Sequence, residues 1–146
     1  MSSGGMIFDM GIDETKLRDL AKKHGIRPIV LYGSQAIGGA TPESDFDVAV
    51  YLESAKVNKF YFDGYLDLLP ELADALGAKG QKIDLVLLNS VNILLRYEIT
   101  SKGQLLFGDL DQFAQYQAFA FRDYIDAKPL FDLEGELIHK RQTLIA

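Results

Sequence analysis

The stretch "LYGSQAIGGATPESDFDVAVYL", Leu31 to Leu52, joins an apolar run, the pair Gly33-Ser34, a loop of small residues and two aspartates heading a second apolar run. Two residues apart on an extended strand, Asp45 and Asp47 project from one face with backbones roughly 6 to 7 Å apart, so their carboxylates can share cations. Asp84 is embedded in "KIDLVLL" between Ile83 and Leu85, where an ionised carboxylate needs pairing, hydrogen bonds or a metal to offset its desolvation. If the strands carrying them are neighbours, Asp84 joins the other two.

Three oxygen donors with no nearby histidine or cysteine favour hard cations, Mg²⁺ or Mn²⁺. Gly33-Ser34, between a strand and a helix of small residues, suits phosphate, because glycine lets backbone amides approach an anion and a helix N-terminus favours negative charge. Ser34 adds a hydroxyl donor. Plainer readings stand beside this one: Asp45 capping a turn after Ser44, and Asp84 bridging Lys82 or Lys56.

The elements that must position these residues follow from periodicity. "DETKLRDLAKKHG" reads as an amphipathic helix capped by Asp13, closed by Gly25, with Leu17, Leu20 and Ala21 inward. "RPIVLYG" is a buried strand, and "SQAIGGATPES" a short helix and loop. "DFDVAVYL" alternates, with Asp45, Asp47, Ala49 and Tyr51 on one face and Phe46, Val48, Val50 and Leu52 on the other. Phe60 to Leu76 has helical spacing, with a kink at Pro70 and an end at Gly77. "QKIDLVLLN" is a third strand, "VNILLRYEITSKG" a helix, and "QLLFG" a short fourth strand.

Asp109 to Lys128 is a periodic helix with Leu110, Phe113, Ala114, Phe121, Tyr124 and Ile125 as its core face, and after "KPLFD" a separate helix covers Glu134 to Leu144. Phe119 falls on the polar side with Tyr116 at its edge, which implies burial under the last helix or a partner surface. His24 and His139 lack metal-ligand spacing and are assigned to the surface. Arg96 reads as a surface ion-pair residue, and Tyr32 as core or wall.

No repeat, low-complexity tract or linker divides the chain. Residues 1–146 are therefore read as one α/β domain, with about 109–146 a helical C-terminal extension. A 48% hydrophobic content supports a core, and the net charge of -6 disfavours a nucleic acid substrate. The absence of cysteine removes disulfides, thiolate metal sites and a cysteine nucleophile, and fits a cytoplasmic protein. No apolar run approaches the roughly 20 residues of a membrane helix, and no export signal opens the chain.

"GSQAIGGATPESDFDVAV" resembles the signature of minimal nucleotidyltransferases of the DNA polymerase β superfamily: G-S, ten residues, D-x-D, then a third aspartate on a later strand. More narrowly, with "KIDLVLLN", "LLRYEITSKGQLLFGD" and "FRDYIDAKPLFDLEGELIHKR", the chain resembles the MNT antitoxins paired with HEPN ribonuclease toxins. The resemblance implies a polymerase-β-like fold, a small mixed sheet flanked by helices. It implies transfer of AMP from ATP to a toxin tyrosine, with Gly33 and Ser34 on the triphosphate, Asp45, Asp47 and Asp84 on two metal ions, and Asp84 assisting deprotonation. Ile37 departs from the pattern, since relatives often carry arginine there, and Arg96 or a partner is a substitute source. Two alternatives use the same residues: a nucleotidyltransferase acting on a small molecule such as an antibiotic, and a catalytically weak antitoxin acting by binding alone.

Overall fold

The computed structural model describes residues 11–33, 44–53 and 64–145. Asp13 begins the first element by accepting the Lys16 N–H at 3.2 Å, and α1 follows over Glu14–His24. Lys22, Lys23 and His24 complement the dipole in its last turn, and Gly25 closes it in the left-handed region. Leu17, Leu20 and Ala21 turn inward as their spacing predicts.

Four strands follow from the apolar runs: β1 (Ile26–Tyr32), β2 (Phe46–Leu52), β3 (Ile83–Leu87) and β4 (Gln104–Phe107). They form a mixed sheet in the order β3-β2-β1-β4, with β2 and β3 parallel and the other two pairs antiparallel. A parallel pair needs a crossover, and its helix is α2, Tyr65–Leu76, which runs through Pro70 and ends at Gly77 with φ 69°. The start expected at Phe60, like the helix and loop expected after Gly33, lies outside the described residues. Asn92 caps α3, Ile93–Lys102, by accepting the Leu95 N–H at 2.8 Å.

Alternation divides the sheet between two cores. Ile29, Leu31, Val48, Val50 and Leu52 face α1 and α2, where Leu17, Leu68, Leu72 and Leu76 are fully buried with them. Val30 and Ala49 face the other way, against Ile99 of α3 and Phe113 of the last helix. Asp47 and Tyr51, two residues either side of Ala49, therefore share the second face. Asn89 secures the end of β2, its side chain accepting the Leu52 N–H and donating to the Leu52 carbonyl, both at 2.9 Å.

The C-terminal part corrects the sequence reading. Instead of two helices, α4 runs unbroken from Leu110 to Ile145 through Pro129. Proline deletes one N–H, normally at a cost of about 3 kcal/mol, but here the position is exposed, so water can serve the freed carbonyl. A Lys128–Asp132 ion pair of 3.0 Å spans the proline, and the leucines, glutamates, Lys140 and Arg141 beyond it favour helix.

The core face of α4 also differs from expectation. Phe113 and Ala120 are buried, whereas Leu110, Phe121 and Ile125 are 73%, 52% and 46% exposed. Tyr116 against Tyr51 (5.2 Å between centroids), Tyr124 stacked on Tyr97 (4.2 Å) and Gln117 donating to the Thr100 carbonyl at 2.9 Å set the helix's rotation. Among the described residues no helix is long and apolar enough to cross a membrane.

His24, expected at the surface, has a side chain only 9% exposed and lies 2.7 Å from Glu71 of α2. Burial pushes the Glu71 carboxyl up, but bonds from His24 and Lys23 outweigh it and hold it below its ordinary value of 4.5. A depressed folded-state pKa contributes stability above the unfolded value that is lost as pH falls through the folded one. Glu71→Gln should therefore lower stability at neutral pH by about 0.5–1 kcal/mol, allowing for solvent screening. Urea midpoints should converge with the parent's as the pH drops below about 4.

Candidate active site

The two strand pairings of β2 assemble the site. In the antiparallel pairing Tyr32 faces Asp47, and in the parallel one Asp47 faces Asp84. In-register neighbours place their side chains on the same face, so the condition for Asp84 to join the other two, that the second and third strands be neighbours, is met. Asp45 stands exposed just ahead of β2, Asp47 is half-buried, and Asp84 is exposed on the edge strand.

The carboxylates feel one another. Burial first, and then the charges of Asp84 and Asp45, push the Asp47 carboxyl above its ordinary range. Among the described residues none of the three takes part in an ion pair, and Lys82 does not bridge Asp84; Lys56 lies outside them. Nor do three acidic or histidine side chains there draw into a ready coordination cage. What the fold supplies is an in-register carboxylate pair with a third negative charge at the strand's head. An oxygen-only donor set under like-charge repulsion fits a hard divalent cation, whose charge would offset both repulsion and desolvation.

Gly33 is required by geometry as well as by any anion. Its φ is +73°, and a Cβ there would overlap Oδ2 of Asp47 and sit 3.1 Å from its Cγ. The sequence reading assigned this glycine to phosphate alone; the space it leaves for Asp47 appears only once β1 and β2 are paired. Ser34 and Ile37 lie outside the described residues. Tyr32, read as core or wall, is a half-buried wall, where burial and then Asp47 and Asp84 push its phenol up to about 12. It stays a neutral donor beside two acids.

Arg96 corrects its expectation. It joins no ion pair among the described residues, is half-buried, and donates from Nη2 to the Val91 carbonyl at 3.4 Å. It lines a cavity with Tyr51 and Tyr116. Phe119 is not covered by the C-terminal residues, since α4 continues straight past it, and it lines the same cavity.

Residues 15–112 match the family described as polymerase beta, nucleotidyltransferase. A protein adenylyltransferase MntA of Aphanizomenon flos-aquae is 31% identical over 108 residues, covering 71% of this chain and 72% of that protein. Among solved structures, a toxin-antitoxin with AMP-PNP superposes with a TM-score of 0.60 at 23% identity, over 92% of this chain and 100% of the other. A complex of tri-AMPylated Shewanella oneidensis HEPN toxin with MNT antitoxin gives a TM-score of 0.53 at 22% identity, over 91% and 96% of the two chains. The sub-25% likenesses concern the fold.

Two outcomes follow from this geometry. Gly33→Ala should cost about 1–2 kcal/mol from its left-handed backbone alone, and more from the Asp47 overlap. Adding Asp47→Ala should recover the second part and not the first, as read by denaturant midpoints. For Asp47, a raised folded-state pKa means stability that is full below the unfolded value of 3.8 and lost as pH rises through the folded one. Asp47→Asn should therefore melt higher than the parent at neutral pH without metal, and Mg²⁺ should raise the parent's melting temperature more than the variant's.

Proposed function

This chain belongs to the polymerase beta nucleotidyltransferase family, and from that premise we propose that it binds a HEPN ribonuclease toxin and silences it by transferring AMP from ATP to a tyrosine hydroxyl of that toxin. The observation that carries the reading is the register pairing of Asp47 with Asp84 beside Gly33. The identity to a protein adenylyltransferase supports the protein acceptor.

In this reading Gly33 and Ser34 hold the triphosphate, and Asp45, Asp47 and Asp84 would hold two divalent cations, Mg²⁺ or Mn²⁺. Those ions, when bound, lower the pKa of the attacking hydroxyl and neutralise charge on the phosphoryl group and leaving pyrophosphate. Asp84 accepts the proton as the tyrosine oxygen bonds to the α-phosphorus and the bond to the β-phosphate oxygen breaks. Tyr32, kept protonated, adds no competing negative charge.

Asp84 stands exposed on the edge strand, reachable by a residue carried on a large acceptor. This favours a protein over a small molecule, which calls for an enclosing cleft. Leu130, Leu133, Leu137 and Leu144 lie exposed at helical spacing along α4, the kind of apolar stripe that a bound partner covers. The acidic balance suits a basic, RNA-cutting partner. Cytoplasmic residence follows from such a role.

The test is to incubate the chain with ATP, Mg²⁺ and the toxin encoded beside it, then weigh the toxin intact. Added adenylyl groups are expected, abolished by a chelator and reduced at least about a hundredfold in Asp45→Asn with Asp47→Asn. An unmodified toxin that still co-purifies and is still neutralised would replace transfer with inhibition by binding.

A further inference from the structure

On the sheet face that bears the aspartates, about 13 Å further along β2, Tyr51, Arg96, Tyr116, Phe119 and Asp123 line a cavity of about 350 Å³ floored by Ala120. It is a separate place from the carboxylate site. Ala49 and Ile99, both fully buried in one cluster, stand between the two.

The walls are aromatic, and while the lining Asn89 and Thr100 side chains bond to backbone groups, the charges of Arg96 and Asp123 are not paired with each other. Tyr51 and Tyr116 contact each other at 5.2 Å, and Phe119 is 56% exposed with the Arg122 guanidinium 5.6 Å from its ring centroid. The Arg96 guanidinium makes one long bond, to the Val91 carbonyl, and no ion pair among the described residues. Asp123 shares the cavity but forms no ion pair with it at 4.0 Å or less. A cation and an anion thus border one aromatic cavity without neutralising each other.

That combination narrows the ligand. An inorganic anion would meet the Asp123 carboxylate and apolar walls, a simple cation would meet Arg96, and an acyl chain would leave both charges unpaired. A flat heteroaromatic ring with an acceptor and an amino donor on its edge satisfies all three features. The volume is at the small-ligand end of binding pockets and suits a two-ring base with its sugar. We propose that the cavity binds a purine nucleoside, stacked on Tyr116 and Phe119, with Arg96 donating to a ring acceptor and Asp123 accepting from the ring's donor edge. The site is distinct from the one assigned to ATP and does not depend on that assignment.

Adenosine and guanosine are the probes, because they lack the phosphates on which binding at the carboxylates would depend. Calorimetry on the full chain with a chelator present should give saturable one-site binding of at least one nucleoside in the millimolar range or tighter. Arg96→Gln, Asp123→Asn and Phe119→Ala should each weaken it about tenfold or more, and Asp47→Asn should leave it unchanged. Asp123 and Phe119 are exposed, so their variants keep the fold, which circular dichroism verifies. Three results would overturn the assignment: no saturable binding of either nucleoside; binding lost in Asp47→Asn and kept in Asp123→Asn; or no nucleoside binding while Phe119→Ala weakens capture of the toxin, which would make this a protein-docking surface.

Discussion

Everything at the site depends on the parallel pairing of β2 with β3 in one register, Asp47 opposite Asp84. A slip of one residue would send one of the aspartates to the α1/α2 side, where an ionised carboxylate would be buried among leucines. The register is held by the opposite face of the same strands. Val48, Val50 and Leu52 alternate with Asp47, Ala49 and Tyr51, and the first three are fully buried with Leu68, Leu72 and Leu76 of the crossover helix. Hydrophobic packing on one side thereby fixes electrostatic repulsion on the other.

That repulsion is a cost the fold carries for its chemistry. Asp47 is pushed toward protonation by burial and by two neighbouring acids, and Gly33 is held at positive φ so that nothing displaces its carboxylate. The repulsion is concentrated where the end of β1 meets the head of β2, while the strand middles, Val30 and Ala49, are buried against α3. The buried strand centre positions the acids at its head.

The elements legible in the sequence were those governed by local rules. Asp13 and Gly25 mark the ends of α1 because capping is decided within one turn, and β2 declares its two faces by strict alternation. The three acids were legible as costly residues, though their juxtaposition required knowing which strands are neighbours. The misreadings have the opposite character. His24 is shielded by Glu71, a partner 47 positions away. Pro129 is a local break signal overruled by an exposed setting and a bridging ion pair, and the core face of α4 was misjudged because Tyr51 and Tyr97, outside the helix, set its rotation.

Helix α4 links regions that the sequence reading kept apart. Its first half is held to the sheet and α3 by Phe113 and the tyrosine contacts, whereas Leu130, Leu133, Leu137 and Leu144 are exposed among the described residues. Had Pro129 ended the helix, the second half could have folded back over Phe119 and closed the cavity beside it. Because the helix continues, Leu130, Leu133, Leu137 and Leu144 are displayed along it rather than packed over Phe119. A helix that continues through its proline therefore leaves those leucines exposed among the described residues, and Phe119 uncovered by the residues that follow it.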